Sequence, residues 1–301
     1  RPRRSPTSST RSVPARNNRV KKRLRRVLFA LAAVTMLLSA GFRLAGWLSR
    51  PGLPEEDTAY FFDVGEADAA LIVSGGAAVL VDTGTAETAP ALVREIKSLG
   101  VRELYAVVVT HPHADHAGGA SKVLRAFPVR HFYAGAELRS REIDARLEKR
   151  KLTAVQPQDG EVLALPSGAT LTFLGPADDV PADNLNNRSL ITLFRGGGAS
   201  ILLMGDAEKA AEQSLLRHHP GLRCDILKVG HHGSDTSSSP AFLSSLGAET
   251  AVISCGMDNG YGHPSAETLE NLNNAGIHDI HVTAECGTVV LTSRDHKENA
   301  A

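Results

Sequence analysis

Residues 110–119 read Thr110-His111-Pro112-His113-Ala114-Asp115-His116-Ala117-Gly118-Gly119 and follow directly on the apolar run 103–109. The apolar run predicts a buried strand, so we expect the polar segment at the open end of that strand. Three imidazoles and one carboxylate lie within six residues. These are ligands that Zn²⁺, Mn²⁺ and iron prefer, and their spacing allows one loop to supply two neighbouring metal ions.

The residues on both sides of this segment predict two packed sheets. Upstream, apolar runs at 59–64, 69–73 and 77–81 are separated by glycine-containing turns, which is typical of antiparallel hairpins. Downstream, strand-like and helical patterns alternate. We expect helices at 89–99, 119–126, 137–148, 207–217, 240–246 and 266–275, and strands at 103–109, 171–174, 190–194, 201–204, 225–229, 251–254 and 288–291. So many apolar strands favour two sheets with helices on their outer faces over one doubly wound sheet.

Five further motifs make a family resemblance specific. They are Phe62-Asp63-Val64-Gly65-Glu66-Ala67-Asp68-Ala69, Val81-Asp82-Thr83-Gly84, Leu203-Met204-Gly205-Asp206, Leu227-Lys228-Val229-Gly230-His231-His232-Gly233-Ser234 and Tyr261-Gly262-His263-Pro264. With the HxHxDH segment, which is the hallmark of the metallo-β-lactamase superfamily, the chain resembles the C-terminal domain of ComEC-type competence proteins from about residue 59 to 292. The resemblance implies an α/β (α+β) fold, a four-layer αβ/βα sandwich with metals at one edge of the sheets. It does not cover that family's multi-spanning channel, so it does not imply DNA transport.

The resemblance also implies the metal ligands. Asp206 follows a strand and a glycine, where this superfamily places the carboxylate that bridges both metals. Neighbouring side chains after a strand should point in different directions, so one residue of the pair His231-His232 is expected to reach a metal. We take His232 as the ligand and His231 as either a support for the ligands or a substrate contact, with the reverse order left open. The implied cofactors are two divalent ions, Zn²⁺ or Mn²⁺, held by His111, His113, Asp115, His116, Asp206 and His232.

One position departs from many members of the superfamily, which supply a further histidine before the bridging aspartate. This chain has no histidine between His131 and His218, and Asn186-Asn187-Arg188-Ser189 stands there instead, as in the ComEC-like pattern. Amides and hydroxyls are weak metal ligands. We therefore expect the first metal to keep a water or a substrate oxygen, in a site that either binds its metal weakly or prefers Mn²⁺ over Zn²⁺. We place Asn187 among the catalytic residues.

Other polar residues of the motifs receive supporting roles. Asp82 is expected to orient an imidazole ligand through a hydrogen bond, with a turn-forming role as the alternative. His263, beside Asn259 and Tyr261, is expected to face the substrate. Lys228 could neutralise a phosphate or pair with an acid, and both remain open. The predicted catalytic set is Asp115, His231, His263 and Asn187.

The first 58 residues divide into three segments. Residues 1–26 form a basic tail, expected to be disordered, whose charges orient the chain in a membrane or bind anionic lipid or nucleic acid. Residues 27–49 are nearly all apolar and long enough to cross a bilayer core. We expect a single-pass signal anchor with its N-terminus in the cytoplasm; a cleaved signal peptide is the alternative, although Leu38 fits a cleavage site poorly. Residues 50–58 form a linker, and 59–301 the exported domain.

The distribution of charge restricts the partners of this domain. Of the 33 Lys and Arg residues, 13 lie in residues 1–54, which contain no Asp or Glu. The remainder carries 20 bases against 33 acids. Such a domain has no general attraction to phosphate backbones, which weighs against a plain DNA-binding module. Three cysteines do not indicate a disulfide framework.

Together these patterns predict an exported, membrane-anchored hydrolase that uses a water activated by two metals. The predicted substrate is a phosphodiester, either single-stranded DNA or an ester of a cell-envelope polymer, and no obligate protein partner is inferred. A β-lactam or lactone hydrolase is the second possibility. The third is a non-catalytic envelope protein that captures DNA.

Overall fold

The computed structural model describes residues 52–135, 137–181 and 183–293. The basic tail and the apolar segment 27–49, predicted to anchor the chain, lie outside these residues. Within the described ranges, no helix has both the length and the apolar character that a membrane crossing needs.

The first sheet has seven strands in the described part of the chain, in the order β14-β1-β2-β3-β4-β5-β6. Its strands are β1 (Thr58–Phe61), β2 (Ala70–Ser74), β3 (Ala77–Val81), β4 (Leu104–Val109), β5 (Val129–Ala134), β6 (Ala154–Val155) and β14 (Val289–Thr292). Pairing is antiparallel from β14 to β3 and parallel from β3 to β6. Its helices are α1 (Ala89–Ser98), α2 (Ala114–Ala117), α3 (Ala120–Ala126) and α4 (Arg141–Arg150).

The second sheet repeats this design, in the order β13-β12-β11-β10-β9-β8-β7. Its strands are β7 (Val162–Ala164), β8 (Thr170–Phe173), β9 (Thr192–Gly196), β10 (Ala199–Leu203), β11 (Ile226–Lys228), β12 (Thr250–Ile253) and β13 (Asp279–Val282). Pairing is antiparallel from β7 to β10 and parallel from β10 to β13. Its helices are α5 (Lys209–His218), α6 (Pro240–Leu246), α7 (Ala266–Asn274) and α8 (Thr283–Cys286).

Three layers of buried side chains hold the two sheets and their helices together. The central layer lies between the sheets and includes Phe61, Val108 and Phe173. An outer layer packs α1 and α3 on the first sheet, and a second packs α5, α6 and α7 on the other. Strands with apolar residues on both faces must be covered on both sides, which explains the predicted α–β–β–α sandwich. The structure confirms that sandwich.

Most predicted elements are found within a few residues of their expected bounds, and β3 and α6 have the expected bounds. Strands β5, β6, β7 and β13 were not predicted. In β5 the polar pair Arg130-His131 interrupts the apolar pattern, and the strand is defined by its parallel pairing with β4. Helix α4 begins at Arg141 instead of 137 because Ser140 caps it, its hydroxyl accepting a hydrogen bond from the N–H of Ile143.

Candidate metal centre

The polar motifs meet at one edge of the sandwich, at the carboxyl ends of the parallel strands. Asp82 follows β3, and the segment 110–116 follows β4 in the same sheet. Asp206 follows β10, and the pair His231-His232 follows β11 in the other sheet. Because parallel strands end at a common edge, loops far apart in the chain converge there.

The first ligand set contains His111, His113 and Asp206. The Nε2 atom of His111 lies 3.0 Å from Nδ1 of His113 and 3.5 Å from Oδ2 of Asp206. Burial and the neighbouring His116 lower the pKa of His111 to about 3, so this imidazole is neutral near pH 7. A neutral imidazole is the form that binds a metal.

The second ligand set contains Asp115, His116, Asp206 and His232. Oδ1 of Asp206 lies 3.0 Å from Nε2 of His116 and 3.6 Å from Nε2 of His232. Oδ2 of Asp115 lies 3.3 Å from Nε2 of His232 and 3.7 Å from Nε2 of His116. Asp206 therefore offers one carboxylate oxygen to each set, which is the arrangement of a bridging ligand.

Two buried atoms test whether these residues fit a metal. Nε2 of His116 and Oδ1 of Asp206 are both buried and lie 3.0 Å apart. In the neutral ring, whose Nδ1–H is held by Asp82, both atoms are acceptors and neither has a hydrogen-bond partner. Buried polar atoms without a partner are costly and uncommon in native proteins. A divalent cation between them satisfies both atoms, and the imidazole and carboxylate donors suit Zn²⁺, Mn²⁺ or iron. The residues therefore fit a pair of divalent ions.

Hydrogen bonds to Asp82 orient two of the imidazoles. Nδ1 of His116 donates to Oδ2 of Asp82 at 2.8 Å. Thr110 donates its backbone N–H and its hydroxyl to the same carboxylate, each at 2.8 Å, and the hydroxyl oxygen lies 3.1 Å from Nδ1 of His111. Holding Nδ1 in this way leaves Nε2 of each ring for a metal. The predicted supporting role of Asp82 agrees with these contacts.

His232 is held by a second group of buried partners. Its Nδ1 donates to the carbonyl of Ser254 at 2.9 Å, and Oδ1 of Asp68 lies 3.8 Å away. Lys228 is buried and donates to Oδ2 of Asp68 at 2.9 Å and to the carbonyl of Val229 at 3.1 Å. Lys228 thus pairs with an acid, and its ammonium group is not available to a substrate phosphate.

In the second ligand set, the imidazoles and the carboxylates shift the pKa values of one another. Burial lowers the pKa of His232, but Asp206 and Asp115 outweigh it and raise the pKa to about 9. In the same way, Asp206 and Asp82 hold the pKa of His116 well above its usual value against the effect of burial. Although burial raises the pKa of Asp115, its hydrogen bond with His232 and the nearby His116 lower it to about 2. The carboxylates are therefore ionised at neutral pH and attract cations.

A cleft of about 470 Å³ opens onto the ligand sets. His113, Asp115, Asp206 and His232 form part of its wall. The remaining lining residues are Glu66, Thr85, Ala114, Asn186, His231, Tyr261 and His263. The cleft is therefore large enough for a small phosphoester that contacts both ligand sets.

His231 lies beside the ligands and outside both sets. Its Nδ1 lies 2.9 Å from the hydroxyl of Thr236, and its Nε2 lies 3.9 Å from Oδ2 of Asp206. His231 and His232 both have left-handed backbone conformations, at φ 49° and 54°, which rotate the successive side chains apart. The structure brings His232 into a ligand set and leaves His231 on the cleft wall, where it can contact a substrate.

The structure does not bring Asn187 to the cleft, contrary to its predicted catalytic role. Its Oδ1 accepts hydrogen bonds from the N–H groups of Glu208 at 3.0 Å and Ala211 at 3.2 Å, at the start of α5. Only 5% of the residue is exposed. The neighbouring Asn186 lines the cleft instead, with Nδ2 3.3 Å from Nε2 of His231. The sequence alone cannot decide which of two adjacent asparagines turns inward to cap a helix.

His263 lines the cleft, as predicted, and has a partner that sequence reasoning missed. Its Nδ1 lies 2.6 Å from Oε1 of Glu66, and the other oxygen of Glu66 accepts the N–H of Gly256 at 2.7 Å. Tyr261 stacks on the His263 ring, with centroids 5.5 Å apart and planes inclined by 15°. Glu66 belongs to the motif at 62–69, but its partners lie nearly two hundred residues away, so the sequence does not indicate this pairing.

Comparisons with known proteins agree with this geometry. The family model described as the metallo-beta-lactamase superfamily matches residues 62–257. ComE operon protein 3 of Bacillus subtilis (strain 168) is 29% identical over 261 residues, which cover 79% of this chain and 33% of that protein. Competence protein ComA of Neisseria gonorrhoeae is 33% identical over 258 residues, which cover 81% of this chain and 35% of that protein. The chain thus spans about a third of the length of these curated relatives.

Two solved structures share the fold. The metallo-beta-lactamase fold protein YhfI from Bacillus subtilis has a TM-score of 0.54 at 14% identity, over 79% of this chain and all of that chain. CmlA, a diiron beta-hydroxylase from Streptomyces venezuelae, has a TM-score of 0.55 at 16% identity, over 80% of this chain and 55% of that chain. At such low identity these similarities show the fold alone.

Proposed function

The chain belongs to the metallo-beta-lactamase superfamily and is similar to ComEC-type competence proteins, and from this premise we propose that it is a metal-dependent phosphodiesterase. One observation carries the proposal. Asp206 offers one oxygen to each of two ligand sets, and both sets open onto a single cleft. Two divalent ions bound there would lower the pKa of a water and offset the negative charge that develops on a phosphoryl group.

The protein's own residues would supply the remaining steps. The side chain of Asp115 is 31% exposed, and its carboxylate would accept a hydrogen bond from the attacking water and orient it. Glu66 accepts the Nδ1–H of His263, so the imidazolium form of that ring would donate its Nε2 proton to the leaving oxygen and become neutral. His231, whose Nε2 lies 3.9 Å from Oδ2 of Asp206, would donate a hydrogen bond to a phosphoryl oxygen.

A phosphodiester is favoured over a β-lactam or lactone by the first ligand set. His111, His113 and Asp206 supply three donors there, and no third histidine joins them among the described residues. Three donors leave coordination positions for oxygens of a substrate. A phosphodiester offers two non-bridging oxygens on its one phosphorus atom, whereas the reacting carbon of a β-lactam or lactone carries a single carbonyl oxygen.

We further propose that the catalytic domain acts outside the cytoplasm. Residues 27–49 would span the membrane once, and the basic residues 1–26 would remain on the cytoplasmic side. A cell-envelope position gives access both to incoming DNA and to phosphoesters of envelope polymers.

The test is a substrate panel offered to the purified full chain loaded with Mn²⁺ or Zn²⁺. The panel contains a bis-aryl phosphodiester, single-stranded DNA, phosphocholine esters and nitrocefin. We expect hydrolysis of phosphodiesters and none of nitrocefin, with activity lost in Asp115→Ala and His116→Ala and retained in the control Glu148→Gln on the outer helix α4. Cleavage of nitrocefin alone would assign the chain to the lactam hydrolases, and DNA binding without any hydrolysis would indicate a capture protein.

A further inference from the structure

One side chain of the cleft wall is largely exposed to solvent. Tyr261 is 77% exposed, the largest exposed fraction among the large hydrophobic side chains of the described residues, and it lines the metal cleft. A single exposed aromatic ring is ordinary on a protein surface. An exposed ring at the mouth of an active site is different, because it offers a substrate a large contact area.

The backbone that carries this ring is fixed by Asn259. The side-chain oxygen of Asn259 accepts the N–H groups of Tyr261 at 3.2 Å and His263 at 2.9 Å. Its amide nitrogen donates to the carbonyls of Gly256 at 2.8 Å and His263 at 2.6 Å. Four hydrogen bonds from one side chain hold the loop, so the exposure of Tyr261 belongs to a defined conformation.

The ring is also aligned with the metal ligands. His263 lies 6.1 Å from His232 with ring planes 25° apart, and Tyr261 lies 5.5 Å from His263 with planes 15° apart. His263 is therefore stacked against Tyr261, and most of the Tyr261 side chain remains exposed to solvent. Tyr261 and members of both ligand sets line the same cleft, so a substrate held at the ligand sets can extend to the ring.

The charge of the cleft excludes the usual way of holding nucleic acid. None of the described residues that line it is Lys or Arg, whereas Glu66, Asp115 and Asp206 are acids. The cleft therefore offers no basic side chains to the phosphate groups of a nucleic acid. Any binding energy besides that from the metals has to come from contacts that do not depend on charge. Stacking of a base on an aromatic ring is such a contact and contributes about 1–3 kcal/mol per base.

We infer that Tyr261 is a stacking platform for a nucleobase next to the scissile phosphodiester. This inference rests on the proposed phosphodiesterase function and deepens it. The preferred substrates are then nucleic acids or nucleotide diesters, because the base-free phosphoesters of envelope polymers lack this contact with Tyr261.

The first test measures stacking without turnover. The probe is a single-stranded oligonucleotide containing 2-aminopurine, whose fluorescence is quenched on stacking, mixed with the full chain in EDTA. We expect quenching with the native protein and with Tyr261→Phe and Tyr261→Trp, and an affinity about 5- to 100-fold weaker in Tyr261→Ala. Met257→Ala is the matched control, because Met257 is 71% exposed on the same loop and does not line the cleft. Absence of quenching with the native protein would overturn the platform.

The second test uses the metal-loaded chain and separates binding from chemistry. For base-bearing diesters, Tyr261→Ala should raise KM by the same factor and leave kcat nearly unchanged, whereas hydrolysis of a dimethyl phosphodiester should not change. Equal losses of kcat on both substrates would show that Tyr261 acts by holding His263 and would refute the platform. Parallel measurements with a DNA and an RNA oligonucleotide show which of the two nucleic acids supplies the stacked base. If no phosphodiester is cleaved at all, the proposed function fails, while the quenching experiment still decides the platform.

Discussion

Asp206 is the residue on which the centre depends most, because each of its oxygens serves a different ligand set. We expect Asp206→Asn to reduce bound metal from two ions per chain to less than one, and to lower kcat by at least about a hundredfold. Elemental analysis of the dialysed protein and the phosphodiester assay measure these changes. His113→Ala is the comparison, since His113 belongs to one set only and its loss should spare the other ion. Retention of both ions in Asp206→Asn would contradict a bridging role.

Asp82 acts on the metals through His116 and Thr110. Asp82→Asn keeps the size of the side chain but removes the charge that receives the Nδ1–H of His116. Loss of such a partner usually weakens metal affinity about 10- to 100-fold. Titration of the loaded protein with a chelator measures the affinity, and Glu148→Gln serves again as the unaffected control. An unchanged affinity would mean that Thr110 and packing alone orient the imidazole.

The raised pKa values of His116 and His232 make the metal-free chain sensitive to alkali. The folded pKa of His232, about 9, exceeds the unfolded value near 6.5, so its contribution to stability is complete below about pH 6.5 and is lost as the pH rises towards 9. The Tm of the chelated protein should therefore fall between pH 6.5 and 9.5.

Metal binding reverses this dependence, because imidazole ligands must lose their protons. Calorimetry in buffers of different ionisation enthalpy should show protons released on metal uptake at pH 7, and affinity should increase with pH. Uptake without proton release would show that these imidazoles are already neutral in the folded chain.

At the scale of single elements, helix α5 depends on a residue from another loop. Asn187 accepts hydrogen bonds from the N–H groups of Glu208 and Ala211, which otherwise have no partner in the first turn. Asn187→Ala should lower the free energy of unfolding by about 0.5–2 kcal/mol and leave kcat nearly unchanged. Urea denaturation and the phosphodiester assay measure the two effects. Asn186→Ala should lower kcat and change the free energy of unfolding little, because Asn186 lines the cleft. A loss of kcat in Asn187→Ala would restore the predicted catalytic role of Asn187.

The elements themselves were largely predictable, and the exceptions share one cause. Strand β3 and helix α6 have the expected bounds because each has a clear apolar pattern between turn residues. Strand β5 was missed because Arg130 and His131 break its pattern, and only pairing with β4 makes it a strand. Local periodicity predicts an element that buries one regular face, but not an element whose conformation depends on a distant neighbour.

At the scale of the whole molecule, the cysteines can report on which side of the membrane the domain lies. Cys286 is exposed, whereas Cys224 and Cys255 are buried. If residues 27–49 anchor the chain as proposed, a membrane-impermeant maleimide should label Cys286 on intact cells that produce the full chain. Cys286→Ser should abolish labelling. Labelling only after lysis would place the domain in the cytoplasm and contradict the proposed topology.

The local sequence determined the chemistry of the metal centre, and the tertiary structure decided which other side chains lie beside it. His111, His113, Asp115 and His116 lie on one loop after one strand, so their spacing was enough to predict a metal site there. The pairing of Glu66 with His263 and of Asp68 with Lys228, and the choice of Asn186 over Asn187, depend on contacts between residues far apart in the chain. Such contacts exist only after two sheets pack face to face, because packing, and not local pattern, sets which side chains become neighbours.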